Sequence, residues 1–465
     1  MTTAIDAARL LTQRDGTDVD RAEFVAERVR GRLVYVEGPG WYAWDGCRWV
    51  NDSTRDAVAR GMVHEVSAAL LVEAAQEGSD VLIEAARALR TTRLISALLG
   101  EAQAMPSIRR SVADLDTDPY ALTFRNGTVD LRTGKLKDHD PADLITRLVD
   151  LDYREDAECQ NWLAFLESSQ PGDPEMHTFL QRLAGYAVTG STREECLAFF
   201  YRSGRNGKGV FTETLGRVFA AVTTAQEAEF WEKQRNGRNG SLVAKLHGAR
   251  LVLSSEMTAA RLDEAFVKLF TAADLLTANQ KYKPAYDFTP TALLIMSGND
   301  KPTIRGTDEG IWRRFRCVPW DESFVGREDK GLKSRLLDEA EGIAAWVVRG
   351  AVEWHKHGLN EAERVTRATD EYREESDPFA DWVAANFEAA PDGFVPNGEI
   401  KQRGERLHPK LPGQPQAWSK AVARQFDTAV GKRGGKRGVT GVRPMPPAPA
   451  DIFGQPRWPA EDGAA

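Results

Sequence analysis

Residues 196–218 read CLAFFYRSGRNGKGVFTETLGRV. The first six form an apolar run of strand length. Arg202–Gly209 is rich in glycine and carries a lysine at 208, and Val210, Phe211, Leu215 and Val218 then recur at helical spacing. Strand, glycine loop, lysine and helix, in that order, make the local context of a phosphate-binding loop. Backbone N–H groups of such a loop curl into a nest for phosphate oxygens, the helix N-terminus adds its dipole, and Lys208 reaches the β- and γ-phosphates. The candidate nucleotide contacts are therefore Ser203, Gly204, Arg205, Asn206, Gly207, Lys208, Gly209 and Val210. Two positions depart from the usual G-x-x-x-x-G-K-[ST]. Arg202 replaces the first glycine, and Gly209 stands where a hydroxyl normally meets Mg2+. On pattern alone, a glycine-rich turn between a strand and a helix is the competing reading.

Downstream, Arg250–Glu256 (RLVLSSE) is an apolar strand ending in a carboxylate, 48 residues after Lys208. At the tip of a strand neighbouring the phosphate-loop strand, Glu256 can hold Mg2+ and polarise an attacking water. A third apolar strand, around 292–297, leads to Asn299, which either orients water against the γ-phosphate or is an ordinary turn residue. Then comes IRGTDEGIWRRFR, 304–316. Its Arg313 and Arg314 can stabilise phosphoryl-transfer charge from a neighbouring subunit, or simply pair with Asp308 and Glu309. Strands at 196–201, 250–255 and 292–297 alternating with helices predict an α/β core over 195–358.

The flanks read differently. Residues 1–120 predict a small β-meander, with turns at Gly38-Pro39-Gly40 and Asp45-Gly46, followed by helices. Trp41, Tyr42, Trp44 and Trp49 are expected to form a small core there rather than an exposed patch. A helical domain at 121–194 includes a helical stretch over 156–190, and a long amphipathic helix is expected at 334–357. A linker at 359–378 leads to a basic module at 379–445 and a flexible tail at 446–465.

Composition narrows the class. The chain has 465 residues, 61 Lys plus Arg and 69 Asp plus Glu, a net of −8. That excludes a small, uniformly basic nucleic-acid binder. Residues 401–445 nevertheless hold 11 Lys plus Arg against Glu405 and Asp427, a local +9, which leaves −17 for the rest. Within them a helical pattern precedes Gly431-Lys-Arg-Gly-Gly-Lys-Arg-Gly438, so Lys432, Arg433, Lys436 and Arg437 predict a helix followed by a basic wing that binds DNA. The four cysteines are too scattered for a zinc site, no apolar run is long enough to span a bilayer, and the first residues do not form a signal peptide.

The motifs are colinear over about 200 residues: FRNGTVDLRTGKLKDHDP, FLQRLAGYAVTG, FFYRSGRNGKGVF, ARLVLSSE, RLDEAFVKLFTAAD, DFTPTALLIMSGNDKP and IRGTDEGIWRRFRCVPW. In this order they resemble the superfamily 3 helicases of the phage/plasmid primase-helicase family, which includes the poxvirus primase-helicase. The resemblance implies an AAA+-like P-loop ATPase core with a mostly helical N-terminal domain and a small C-terminal winged-helix-like domain. It implies an ATP-dependent replicative DNA helicase, with Mg2+ bound through ATP and Glu256, acting as a hexameric ring on single-stranded and forked DNA; a separate primase or other replication proteins are candidate partners. By position Lys208 is the Walker A lysine, Glu256 the Walker B carboxylate, Asn299 sensor 1, and Arg313 or Arg314 the finger supplied in trans. Lys281, Tyr282 and Lys283 fall near the expected pore hairpin. The family's Gly-Gly-Asp turn reads Ala272-Ala273-Asp274 here. No paired-carboxylate primase motif is visible, so intrinsic primer synthesis is not expected. The cytoplasm of a bacterial host, in a phage or other mobile element, is the expected setting. The alternative is an origin-binding replication initiator with a degenerate nucleotide site.

Overall fold

The computed structural model describes residues 17–445, apart from 55, 203, 235–236, 280–284, 305–308, 377–379 and 408–414. Two compact units emerge. One comprises the described residues of 1–302 and 310–368, the other those of 303–309 and 369–445.

The first unit is built on a five-stranded sheet: β1 (Leu197–Tyr201), β2 (Thr223–Ala225), β3 (Leu251–Met257), β4 (Leu293–Gly298) and β5 (Phe315–Pro319). The order is β5-β1-β4-β3-β2, and every pairing is parallel. Each residue of β1 and β4 is buried, which is why both read as unbroken apolar runs rather than alternating ones. The strand order reverses at β1. The chain leaves it toward β2 at the far edge and returns last to add β5 on its other side, so the loop after β1 opens at a topological switch point. One expectation is corrected. The strand carrying Glu256 does not neighbour β1, because β4 lies between them. The reason is burial: β4 is wholly buried and takes the centre, whereas β3 exposes Ser255 and Glu256 just before its last residue.

Helices cover this sheet: α1 (Pro174–Ala187), α2 (Lys208–Val218) and α3 (Ala340–His357). The stretch expected to be helical over 156–190 forms two helices. The helix Gln160–Ser169 stops before Pro171-Gly172, and α1 restarts with Pro174 in its first turn and the Asp173 carboxylate accepting from the Met176 N–H. Similarly, the long helix expected at 334–357 breaks into Leu332–Asp338 and α3. Where α1 crosses α3 the backbones touch. A Cβ on Gly185 would lie 2.0 Å from the Ala351 nitrogen, and one on Gly350 2.1 Å from the Gln181 oxygen. Trp162, Phe200, Phe211 and Trp320 form a buried aromatic cluster beneath the sheet, with ring centroids 5.3–5.7 Å apart where they touch.

The N-terminal part of the same unit adds a four-stranded sheet. Leu33–Val36, Gly40–Trp44 and Trp49–Asn51 form the meander, and Arg109–Arg110 pairs parallel to the first strand. Trp41 is buried against the helices that follow, while Trp49 is buried with Val34 and Val36 in a separate small cluster that the half-buried Tyr42 and Trp44 pack against. A second meander, Ala121–Phe124, Gly127–Asp130 and Lys135–Lys137, follows.

The second unit packs helices Ala380–Asn386, Asn397–Leu407 and Pro415–Gln425 against a sheet of Phe387–Pro396, Lys436–Pro444 and Val430–Arg433, in that spatial order. Its core contains Trp382, Val395, Ile400, Trp418, Val422 and Val442. Among the described residues of the chain, no helix is long and apolar enough to cross a membrane.

Candidate functional site

The loop after β1 gains its shape from what lies beneath it. Gly207 is in the left-handed region at φ 95° and begins α2. A Cβ there would stand 2.9 Å from Ser169 Oγ, 3.2 Å from Phe165 and 3.3 Å from Trp320, so only glycine fits. The buried Asn206 donates its Nδ2–H to the Trp320 carbonyl at 2.7 Å, pinning the loop to the end of β5. Arg202 and Arg205 also adopt positive φ, at 121° and 62°, and their guanidinium groups pair with Asp321 at 2.7 Å and Glu328 at 2.8 Å. Lys208, the first residue of α2, is buried and donates its Nζ–H to the Arg202 carbonyl. Burial pushes its pKa down to about 8, because the site withholds water from the ammonium.

Above this loop lies a cleft of about 550 Å3, at the carboxyl ends of β1, β3 and β4. Gly204, Arg205, Asn206, Gly207, Lys208, Gly209 and Val210 line one wall, and Glu256 and Asn299 edge the other. A Cβ on Gly204 would come 4.0 Å from Asn299 Oδ1, which measures how closely the walls approach. Glu256 is presented by an irregularity. The pairing of β3 with β4 shifts register between Ser254 and Met257, and Glu256 itself has φ 62°. Such a bulge re-aims a side chain out of its ladder. Gly298 lets the two strand tips meet, since a Cβ there would lie 2.5 Å from the Met257 oxygen. Lysine, carboxylate and amide, far apart in sequence, therefore face one space.

The two arginines are not equivalent. Arg314 is buried. Its Nε donates to Thr271 Oγ1 at 2.9 Å, its Nη2 to Glu195 Oε2 at 3.1 Å, and its Nη1 to the Gly310 carbonyl at 2.6 Å. These bonds hold Arg314 within its own fold, a difference from Arg313 that the sequence does not show. Arg313 is 63% exposed and shares Glu195 at 2.9 Å. Neither lines the cleft.

In the second unit, Val430–Arg433 and Lys436–Pro444 form a hairpin turning at Gly434-Gly435. Lys432, Arg433, Lys436 and Arg437 are all exposed on it, and Arg433 donates to the Asp392 carbonyl at 2.8 Å. Ser203, Lys281, Tyr282 and Lys283 lie outside the described residues. The turn after helix Glu264–Thr271 has Ala273 at φ 57°, a conformation the Gly-Gly-Asp version would adopt more easily.

Sequence reasoning missed Glu213 and Lys333, which also line the cleft and pair at 2.5 Å. Glu213 lies one turn beyond Gly209 on α2, so helical spacing from the loop was an available clue. Lys333 arrives from helix Leu332–Asp338, far along the chain, with no local pattern to mark it.

Comparisons with known proteins bear on this geometry. Residues 22–171 match the family described as D5 N terminal like, and residues 200–314 match a family of unknown function, DUF5906. A protein of Acanthamoeba polyphaga mimivirus named "Putative helicase L207/L206" is 27% identical over 295 residues, which cover 58% of this chain and 31% of that protein. "Putative helicase 022R" of Frog virus 3 is 22% identical over 369 residues, covering 60% of this chain and 38% of the viral one. The chain thus spans well under half the length of these relatives. Among solved structures, the apo C terminal region of NrS-1 aligns at a TM-score of 0.47 and 13% identity, over 88% of this chain and 96% of that one. Residues 22–171 are therefore similar to the D5 N terminal like domain, and part of the chain is similar to these viral proteins.

Proposed function

We propose that the cleft binds ATP with Mg2+ and that the chain is an ATP-dependent replicative DNA helicase of a mobile element. The observation that carries this reading is the meeting of Lys208, Glu256 and Asn299 around one cleft at the carboxyl ends of a parallel sheet. Its volume lies within the range of nucleotide-sized sites. A buried lysine at a helix N-terminus is poised for an anion, and Glu256 offers the hard oxygen that Mg2+ prefers. The all-parallel sheet, with the loop at its switch point, supports an AAA+-like P-loop core.

Each residue has a task in this scheme. Loop N–H groups and Lys208 hold the phosphates, and Glu256 takes a proton from the attacking water. Asn299 orients that water, and Arg313 of a neighbouring copy stabilises charge on the transferred phosphoryl group. An arginine supplied in trans calls for a ring, with hexamer as the expected size. In the second unit, helix Pro415–Gln425 followed by the basic hairpin supports a winged-helix-like module whose Lys432, Arg433, Lys436 and Arg437 contact DNA phosphates. Lys281, Tyr282 and Lys283 complete the contact with the strand in the pore. The names of the viral relatives support the helicase assignment.

The test is ATP hydrolysis and unwinding measured together on forked DNA, with Lys208→Ala as control. DNA-stimulated hydrolysis with unwinding, both lost in the variant, is the expected result. Turnover without unwinding reduces the reading to a DNA-stimulated ATPase. Duplex binding with no turnover sinks it in favour of an origin-binding initiator, the reading that Arg202 and Gly209 would then justify.

A further inference from the structure

Gly209 removes the hydroxyl that a phosphate loop ordinarily offers to Mg2+, and α2 carries an unusual neighbour. The Glu213 side chain folds back along the helix, so that a Cβ placed on Gly209 would stand 3.6 Å from Glu213 Oε1. The carboxylate therefore lies in contact with the position where a side chain at 209 would begin. Its other oxygen, Oε2, accepts from Lys333 Nζ at 2.5 Å, and both residues line the cleft opposite Glu256. The nearest hydroxyl on the same helix is turned away: Thr212 is buried and its Oγ1 donates to the Lys208 carbonyl at 3.1 Å.

We propose that Glu213 is the second protein ligand for the nucleotide-bound Mg2+, taking over from the missing hydroxyl at 209. A carboxylate oxygen is as suitable a hard ligand as a hydroxyl, and it adds a negative charge. That charge has a consequence. With two carboxylates, Glu213 and Glu256, facing the cleft, nucleotide without metal meets more repulsion than in a hydroxyl-bearing loop. Lys333, paired with Glu213, offsets part of this repulsion. Nucleotide binding should therefore depend unusually strongly on Mg2+.

The proposal rests on the nucleotide reading above, and the experiment separates the two. Binding of a non-hydrolysable ATP analogue to the full chain is measured by calorimetry with Mg2+ and with chelator, and metal affinity is followed independently by Mn2+ paramagnetic resonance. Wild type should bind far more tightly with Mg2+. Glu213→Gln should lose this Mg2+ advantage by about ten- to hundredfold and weaken Mn2+ equally, while binding in chelator stays the same or improves. Lys333→Ala breaks the ion pair but keeps the carboxylate, and should retain the Mg2+ advantage. The double variant Gly209→Ser with Glu213→Gln should recover much of it, because a serine Cβ meets only ordinary contacts at 209. An unchanged Mg2+ advantage in Glu213→Gln overturns the proposal but leaves the nucleotide site standing. An equal loss in Lys333→Ala also overturns it, since the pair would then act as a structural tether. Failure of wild type to bind the analogue under any condition overturns both readings.

Discussion

The phosphate cleft and the basic hairpin are both places where negatively charged ligands are expected, yet they are built on opposite principles. The cleft is fixed from below. Gly207 rests on Phe165 and Trp320, Asn206 is tied to a backbone carbonyl, and the only lysine of the loop is buried. The hairpin exposes four cations on a two-stranded ribbon. In the first region, position is everything and each residue is irreplaceable. In the second, charge counts and residues substitute for one another. The overall net of −8 conceals this contrast, because +9 is concentrated in 401–445 while the remainder is at −17.

The sharpest separation should come from Glu256→Gln. If Glu256 takes a proton from water, the variant binds nucleotide like wild type but turns it over at least about 100-fold more slowly. Equilibrium binding beside single-turnover hydrolysis would show the split. Loss of binding instead would mean that the strained tip of β3 mainly shapes the cleft. Next in size is Asn206→Ala. It leaves the Trp320 carbonyl buried without its donor, at a cost of about 1–3 kcal/mol in unfolding free energy. Because the lost bond holds the loop on β5, nucleotide affinity should fall with stability. Denaturant unfolding with and without nucleotide reads both, and a stability loss with normal affinity would show the loop to be less dependent on its base than the contrast supposes.

How much of this was legible in sequence follows the same division. Lys208, Glu256 and Asn299 could be singled out because each ends or follows an apolar run, and such runs are the local signature of buried parallel strands. Strand β2 escaped because Thr223–Ala225 has three residues, none of them buried, so nothing in its pattern distinguishes it from a loop. Strand β5 escaped because Arg316 interrupts it and arginines precede it, although its other four residues are buried. The insertion of β4 between β1 and β3 is a tertiary choice that no local period encodes. The same holds within the site. Adjacent Arg313 and Arg314 look alike in sequence, and only Thr271, Glu195 and the Gly310 carbonyl, gathered around one of them, tell them apart. Glu213 and Lys333 meet across about 120 residues.

The hairpin should respond by degrees. Replacing Lys432, Arg433, Lys436 and Arg437 together with alanine should flatten the dependence of log affinity for duplex DNA on log salt by about 3.6, near 0.9 for each of the four phosphate contacts removed. Single replacements should each remove about a quarter of that, in any order. Nucleotide affinity without DNA should not change. A single arginine that abolished binding outright would break the comparison, since it would mean that the hairpin reads bases by position rather than phosphates by charge.

The smallest expected effect tests the buried lysine itself. With its pKa held at about 8 by burial, Lys208 is half protonated at pH 8 before nucleotide arrives. Phosphates favour the charged form, so binding at pH 8 should draw in about half a proton, and at pH 6.5 almost none. Calorimetry in two buffers of different ionisation enthalpy measures the uptake directly, and affinity should decline as pH rises past 8. Folding obeys the same linkage with its own sign. The folded pKa lies below the ordinary lysine value of 10.5, so between about 8 and 10.5 the unfolded chain binds the extra proton, and this residue's contribution to stability rises with pH across that window. Lys208→Ala should abolish both dependences together. Proton uptake that survived the substitution would place the titrating group elsewhere, and the cleft would lose its claim to be the region where a single buried charge sets the response.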